Sequence, residues 1–264
     1  MKKFILVAVV ILGGAIAAYF YWQQTQPKPE AVQVKAPPLP AELPKPVVRQ
    51  AIEAPPAESP LPQLAESDSF MLDALAGLVG NESLMKLFRT EQIIHNIVAT
   101  IDNLPTQRAP VRTRPVERVP GRFETKGAEG ELTISPNNAA RYTPYVSLAE
   151  VVNTEKLVEL YIRLYPLFQQ AYEELGYPNK YFNDRLIEAI DNLLAAPDIN
   201  EPVKLVQPKI FYLYADPYLE GRSIGQRTLM RIGSNNEAKI KTKLKAIKQE
   251  LLLHMHEEEV ETTE

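Results

Sequence analysis

The chain has 264 residues, a formal net charge of −4 and no cysteine. Its length allows one or two domains, and its slight acidity argues against a bulk nucleic-acid binder. Without thiols there can be no disulfide, no thiol catalysis, no cysteine zinc site and no lipid-modified cysteine.

The first predicted element is a membrane span. Lys2 and Lys3 precede nineteen uncharged residues, Phe4 to Trp22. As a helix these cover roughly 28 Å, against a hydrocarbon core of ~30 Å. The lysines hold the N-terminus in the cytoplasm, and Tyr19, Tyr21 and Trp22 form an aromatic belt at the far interface. Residues 1–24 are therefore read as cytoplasmic N-terminus and transmembrane anchor, with contact to the inner membrane through 4–22. A cleaved signal peptide is the rival reading, because Ala15-Ile16-Ala17 resembles a cleavage site.

A tether is predicted over 25–66. Eleven prolines fall within residues 27–62. Proline fixes φ and removes an amide donor, so an extended spacer is expected, reaching at most on the order of 110 Å.

A helical domain is predicted over 67–256, with an acidic tail at 257–264. Within 67–104, Phe70 to Val79 suggests one short helix. Asn81 is a candidate cap for a second, and Thr90 for a third that carries Ile93, Ile94, Ile97, Val98 and Ile101. His95, alone beside this run, is read as a packed or surface residue. Residues 105–136 begin as a proline strap with six basic residues against Glu117 and Glu124 between 105 and 126. An acidic face of the same protein is the expected partner of that strap, with anionic lipid or an acidic polymer as alternatives. Alternation around Gly127 and Gly130 suggests a short hairpin.

The main helical unit is predicted over 137–256. Ser147, Ser223 and Ser234 each open a capping box, Asn153 or Thr154 starts the helix through 159–178, and Asn179 starts the next. Residues 209–214 read as extended, ended by an Asp216-Pro217 turn. The last helix carries Ile240, Leu244, Ile247 and Leu251 as one apolar stripe. Lys241, Lys245 and Lys248 repeat with the spacing of Asp184, Glu188 and Asp191, so the two stripes are expected to pair across neighbouring helices.

Ten of the twelve tyrosines lie between 142 and 218. On a helical wheel Tyr161, Tyr165 and Tyr172 edge the arc of Leu157, Leu160, Leu164, Phe168 and Leu175. Tyr161, nearest the arc, is assigned to the core. Tyr165, farthest from it and next to Pro166, is the expected ligand contact, with Tyr172 beside it. Arg222, Arg227 and Arg231 join Asp216 and Glu220 in a second charged cluster, read as an ion-pair network and as a candidate binding group. No nucleophile elbow, phosphate loop, HExxH or dinucleotide fingerprint is present. His254 and His256 are too few to define a metal site. Neither cofactor nor metal nor catalytic residue is assigned. The stretch RTLMRIGSNNEAKIKTKL resembles a helix-hairpin-helix, but Asn235 replaces its second glycine, and no nucleic-acid partner is expected of an exported domain.

The lysine-flanked anchor, the proline-rich stretch, LYPLFQQAYEELGYP and ADPYLEGRSIGQRTLMRIGSNN together resemble an uncharacterised bacterial family of single-pass membrane-anchored proteins, a domain of unknown function. The resemblance covers roughly residues 65–253 and the anchor. It implies a Gram-negative envelope location, with the C-terminal domain in the periplasm, and brings no activity or catalytic residues. The fold expected is mainly α, with at most a small β element. The function expected is binding of an envelope protein or glycan; the alternative is an envelope hydrolase using carboxylates on the tyrosine-lined face.

Overall fold

The computed structural model describes residues 60–80, 85–108, 114–128, 130–199 and 202–255. The predicted span at 4–22, most of the tether, the Asn81 cap, His256 and the acidic tail lie outside the described residues. Among those described, no helix is long and apolar enough to cross a membrane. The fold is mainly helical, with eight α-helices and two small antiparallel hairpins among the described residues.

Helix α1 (Asp68–Val79) packs beside α2 (Ile93–Asn103). The expected Thr90 cap is corrected. Asp68 of α1 accepts the amides of Gln92 (2.7 Å) and Ile93 (2.8 Å), so a carboxylate from another helix satisfies the first turn of α2 and complements its dipole.

The predicted first hairpin forms between β1 (Thr125–Lys126) and β2 (Thr133–Ile134). Gly127 turns it at φ +107°, where a Cβ would lie 2.4 Å from the Glu131 carbonyl oxygen. The strap before it is held through its backbone: Arg89 N–H donates to Pro115 O, Glu117 N–H to Leu87 O, and Arg141 to the carbonyls of Pro120 and Gly121. Its own side chains behave differently from expectation. Arg108, Arg114, Arg118 and Arg122 are exposed, and none pairs with a carboxylate among the described residues.

Helix α3 (Asn137–Val151) contains Ser147 in its interior, so that capping box is corrected. The helix starts ten residues earlier because buried Asn138 ties its first turn to the strap, donating to Glu124 O (2.6 Å) and Ser135 O (2.9 Å). Helix α4 (Thr154–Glu174) is capped as predicted by Asn153, whose side chain accepts the Lys156 amide at 2.9 Å. Helix α5 (Phe182–Leu194) begins three residues after the expected Asn179. Its Phe182 amide is taken at 2.9 Å by Gln169 of α4.

The segment expected to be merely extended is a second hairpin, β3 (Leu205–Val206) with β4 (Leu213–Tyr214). It joins the first through Leu205 N–H to Leu132 O at 2.7 Å. Asp216 caps the short α6 (Pro217–Glu220), and Ser223 caps α7 (Ile224–Arg231) as predicted. Gly225 lets α7 approach closely, since a Cβ there would meet Leu193 at 2.7 Å. In α8 (Ser234–Leu253) the Ser234 box is corrected: Gly233 is the cap, and buried Glu237 reaches forward to Lys241 at 3.0 Å.

Helix α4 is central, touching α1, α2, α5 and α8. One apolar cluster joins Leu164, Phe168 and Tyr172 of α4 to Ile93, Ile94 and Val98 of α2. A second joins Val158 and Ile162 to Ile187 and Ile190 of α5 and Leu251 of α8. The α8 stripe faces the core as the sequence indicates: Leu251 is buried, Leu244 and Ile247 are partly buried against the second cluster, and Ile240 against a third. The charge stripes meet at Lys248 with Asp191. Lys241 turns instead to Asp198 and Glu237, and Glu188 to Arg185.

Candidate functional site

The C-terminal half of α4, the loop at 175–181, the end of α2 and the first turns of α5 enclose a polar cleft of about 480 Å³. Tyr172 and Tyr177 stack in its wall with ring centroids 4.6 Å apart and planes at 24°. The Lys180 ammonium lies 5.3 Å from the Tyr177 ring centroid. Tyr172 is buried behind its partner, so the partly exposed Tyr177 supplies the aromatic edge and polar rim that the cleft presents.

Arg185 organises the charges. Its Nε donates to Asp102 Oδ1 at 2.9 Å and its Nη1 to Glu188 Oε2 at 2.6 Å, while Nη2 reaches the Asp102 carbonyl. The Tyr177 hydroxyl donates to the other Asp102 oxygen at 3.4 Å. Asp184 completes the lining beside Asn179 and Lys180. Burial, reinforced by the Asp102 carboxylate, pushes the Tyr172 phenol up to about 12, so it remains a neutral donor at any ordinary pH.

The expected order of the tyrosines is reversed. Tyr165 and Tyr172 are each only 3 % exposed, whereas Tyr161 is partly exposed. The wheel treated α4 as an isolated rod, but the start of α5 folds over the edge that Tyr165 and Tyr172 occupy. The Tyr165 hydroxyl donates to Gln169 Oε1 at 3.0 Å. Gln169 Nε2 donates to Lys180 O and Glu173 Oε1, both at 2.9 Å. Tyr165 thus orients the glutamine that ties the cleft loop and α5 to α4. Tyr161 does belong to the core, where its hydroxyl donates to Asn183 Oδ1 on α5.

Arg222, Arg227 and Arg231 gather elsewhere, around the second hairpin. Arg227 pairs with Glu220, whose other oxygen accepts the Tyr214 amide at 2.9 Å. Arg231 donates to Tyr212 O at 3.1 Å and lies 5.1 Å from the Tyr214 ring centroid. Arg222 stacks 4.0 Å from the Tyr218 ring centroid. No hydrogen bond, ion pair or ring contact among the described residues links this network to the tyrosine cleft.

Sequence reasoning missed Asp102, Gln169, Tyr177 and Arg185. Arg185 and Glu188 at i, i+3 were a legible pair. Asp102 gave no signal, because its partner lies 83 residues away. No group of three or more potential metal ligands occurs among the described residues. His95 meets Glu174 at 2.9 Å.

A family model described as a protein of unknown function (DUF3014) matches residues 93–248, a stretch that contains every residue of the cleft. No curated protein and no solved structure matches the chain.

Proposed function

The chain belongs to the DUF3014 family of proteins of unknown function, and from that premise we propose that it is a membrane-tethered binding domain. In this reading residues 4–22 anchor it in the bacterial inner membrane, the proline-rich stretch is a long tether that lets it move near or away from the bilayer, and the helical domain binds an envelope protein or glycan in the periplasm. The observation that carries the binding role is the cleft at Tyr172, Tyr177 and Arg185. A sugar face or a peptide aromatic can stack on the Tyr177 edge while Asn179, Lys180 and Asp184 meet its polar groups. Asp102 and Glu188 share one guanidinium, so neither stands as a free acid in the cleft. The alternative, a hydrolase, would have to use Asp184, the remaining carboxylate of the cleft, as its proton carrier.

Two experiments test the parts separately. A photocrosslinker replacing Asn179 should capture one discrete envelope component in intact cells, and Arg185→Met should abolish that capture. Equal capture by wild type and variant would remove the cleft from the proposal. A reporter active only in the periplasm should be active when fused after Glu264, and the protein should stay with membranes in high salt. Recovery of a soluble species starting near Ala18 would remove the anchor.

A further inference from the structure

We propose that the β3–β4 hairpin dips its tip into the interface of an anionic lipid bilayer. Ile210 and Phe211, in the turn between the strands, are 81 % and 76 % exposed, the highest values among large apolar side chains of the described residues. Val206 on β3 is also exposed. The tip is held out on a fixed base. The Tyr212 ring packs 5.8 Å from Phe123, Arg231 donates to the Tyr212 carbonyl at 3.1 Å, and Gln207 Nε2 donates to Ile210 O at 3.2 Å across the turn. Collapse of the two apolar side chains onto the domain is thereby opposed.

The charges suit an anionic surface. Residues 202–215 contain Lys204 and Lys209 and no carboxylate. Both lysines are exposed and neither is ion-paired among the described residues. Arg122, next to Phe123 at the hairpin base, is exposed as well. Of the acids that follow the hairpin, Glu220 is neutralised by Arg227, and Asp216 is turned to the first turn of α6, which it caps.

Size decides between lipid and protein as the occupant. A stable protein interface covers about 800 Å² per partner, far more than a two-residue convex tip presents. An apolar wedge flanked by cations is the shape that a headgroup layer accepts. So small a wedge binds weakly alone. The inference rests on the tethered reading above, in which the anchor raises the local concentration of the bilayer.

The native chain lacks cysteine, so a single label is site-specific. Full-length Phe211→Cys carrying an environment-sensitive fluorophore is reconstituted with vesicles of phosphatidylglycerol and phosphatidylethanolamine containing nitroxide lipid, and Glu159→Cys on the exposed face of α4 serves as control. Quenching should be strong at 211 and weak at 159. With the label moved to Gln207→Cys, the Ile210→Ser/Phe211→Ser background should reduce quenching on the order of tenfold or more. Equal quenching at 211 and 159 would overturn the proposal, as would a fluorescence shift in lipid-free solution that dilution reverses, which identifies a second copy as the occupant. Equal quenching in zwitterionic vesicles would overturn the role of the lysines. Sedimentation with vesicles reads the anchor independently, so loss of the anchor and loss of the tip contact give different results.

Discussion

The Tyr161 hydroxyl is bonded to Asn183, a side chain with no exposed surface whose Nδ2 has no other partner among the described residues. Tyr161→Phe strands the remaining acceptor in the core. It should cost about 1–3 kcal/mol, more than a rim tyrosine would lose, and urea unfolding measures it. Tyr165→Ala removes a ring from the first cluster and should cost about 3–5 kcal/mol. An unchanged midpoint would contradict its burial. Ionisation has a sign that can be checked. Burial raises the phenols of Tyr161, Tyr165, Tyr172 and Tyr214, the last two to about 12. A raised folded value adds stability that is fully present below the unfolded value of about 10 and is lost as pH rises through the folded one. Stability attributable to these groups should be flat below about pH 10 and fall continuously as pH rises above it, with tyrosinate absorbance lagging behind that of the unfolded chain.

At the scale of elements, two helix starts draw their hydrogen-bond acceptors from other helices. Asp68 serves α2 and Gln169 serves α5. Asp68→Ala and Gln169→Ala should each cost about 1–2 kcal/mol, while Thr90→Ala and Asn179→Ala should change urea midpoints little. The reverse pattern would restore the local caps. The helices α5 and α8 are neighbours, yet their charge stripes are out of step. Lys245→Glu and Glu188→Lys should therefore be additive in a double-mutant cycle, because Glu188 is committed to Arg185. Lys248 and Asp191 should couple by no more than about 1 kcal/mol.

For the whole molecule, the space between α1, α2, α4, α5 and α8 includes an apolar cavity of about 290 Å³ walled by Leu160, Leu164, Phe168 and Leu186 among others. An apolar cavity of ~150 Å³ in another protein stays dry and takes a benzene. Saturating benzene should accordingly raise the melting temperature here by mass action. A melting temperature that benzene leaves unmoved would mean that the helices close over the space in solution.

What the sequence determined by itself was local or periodic. The α8 stripe, the Asn153 and Ser223 caps and the glycine-turned first hairpin depend on residues within a few positions of one another, and each stands where the pattern put it. Tertiary structure decided everything that needed a partner distant in the chain: Asp102 against Arg185, Asp68 and Gln169 as caps, β3 joined to β2, and the burial of Tyr165 beneath the start of α5. Periodicity reports which face of a helix is apolar. It carries no information about which neighbour covers the edge of that face, and that neighbour separates a core tyrosine from one that lines a cleft.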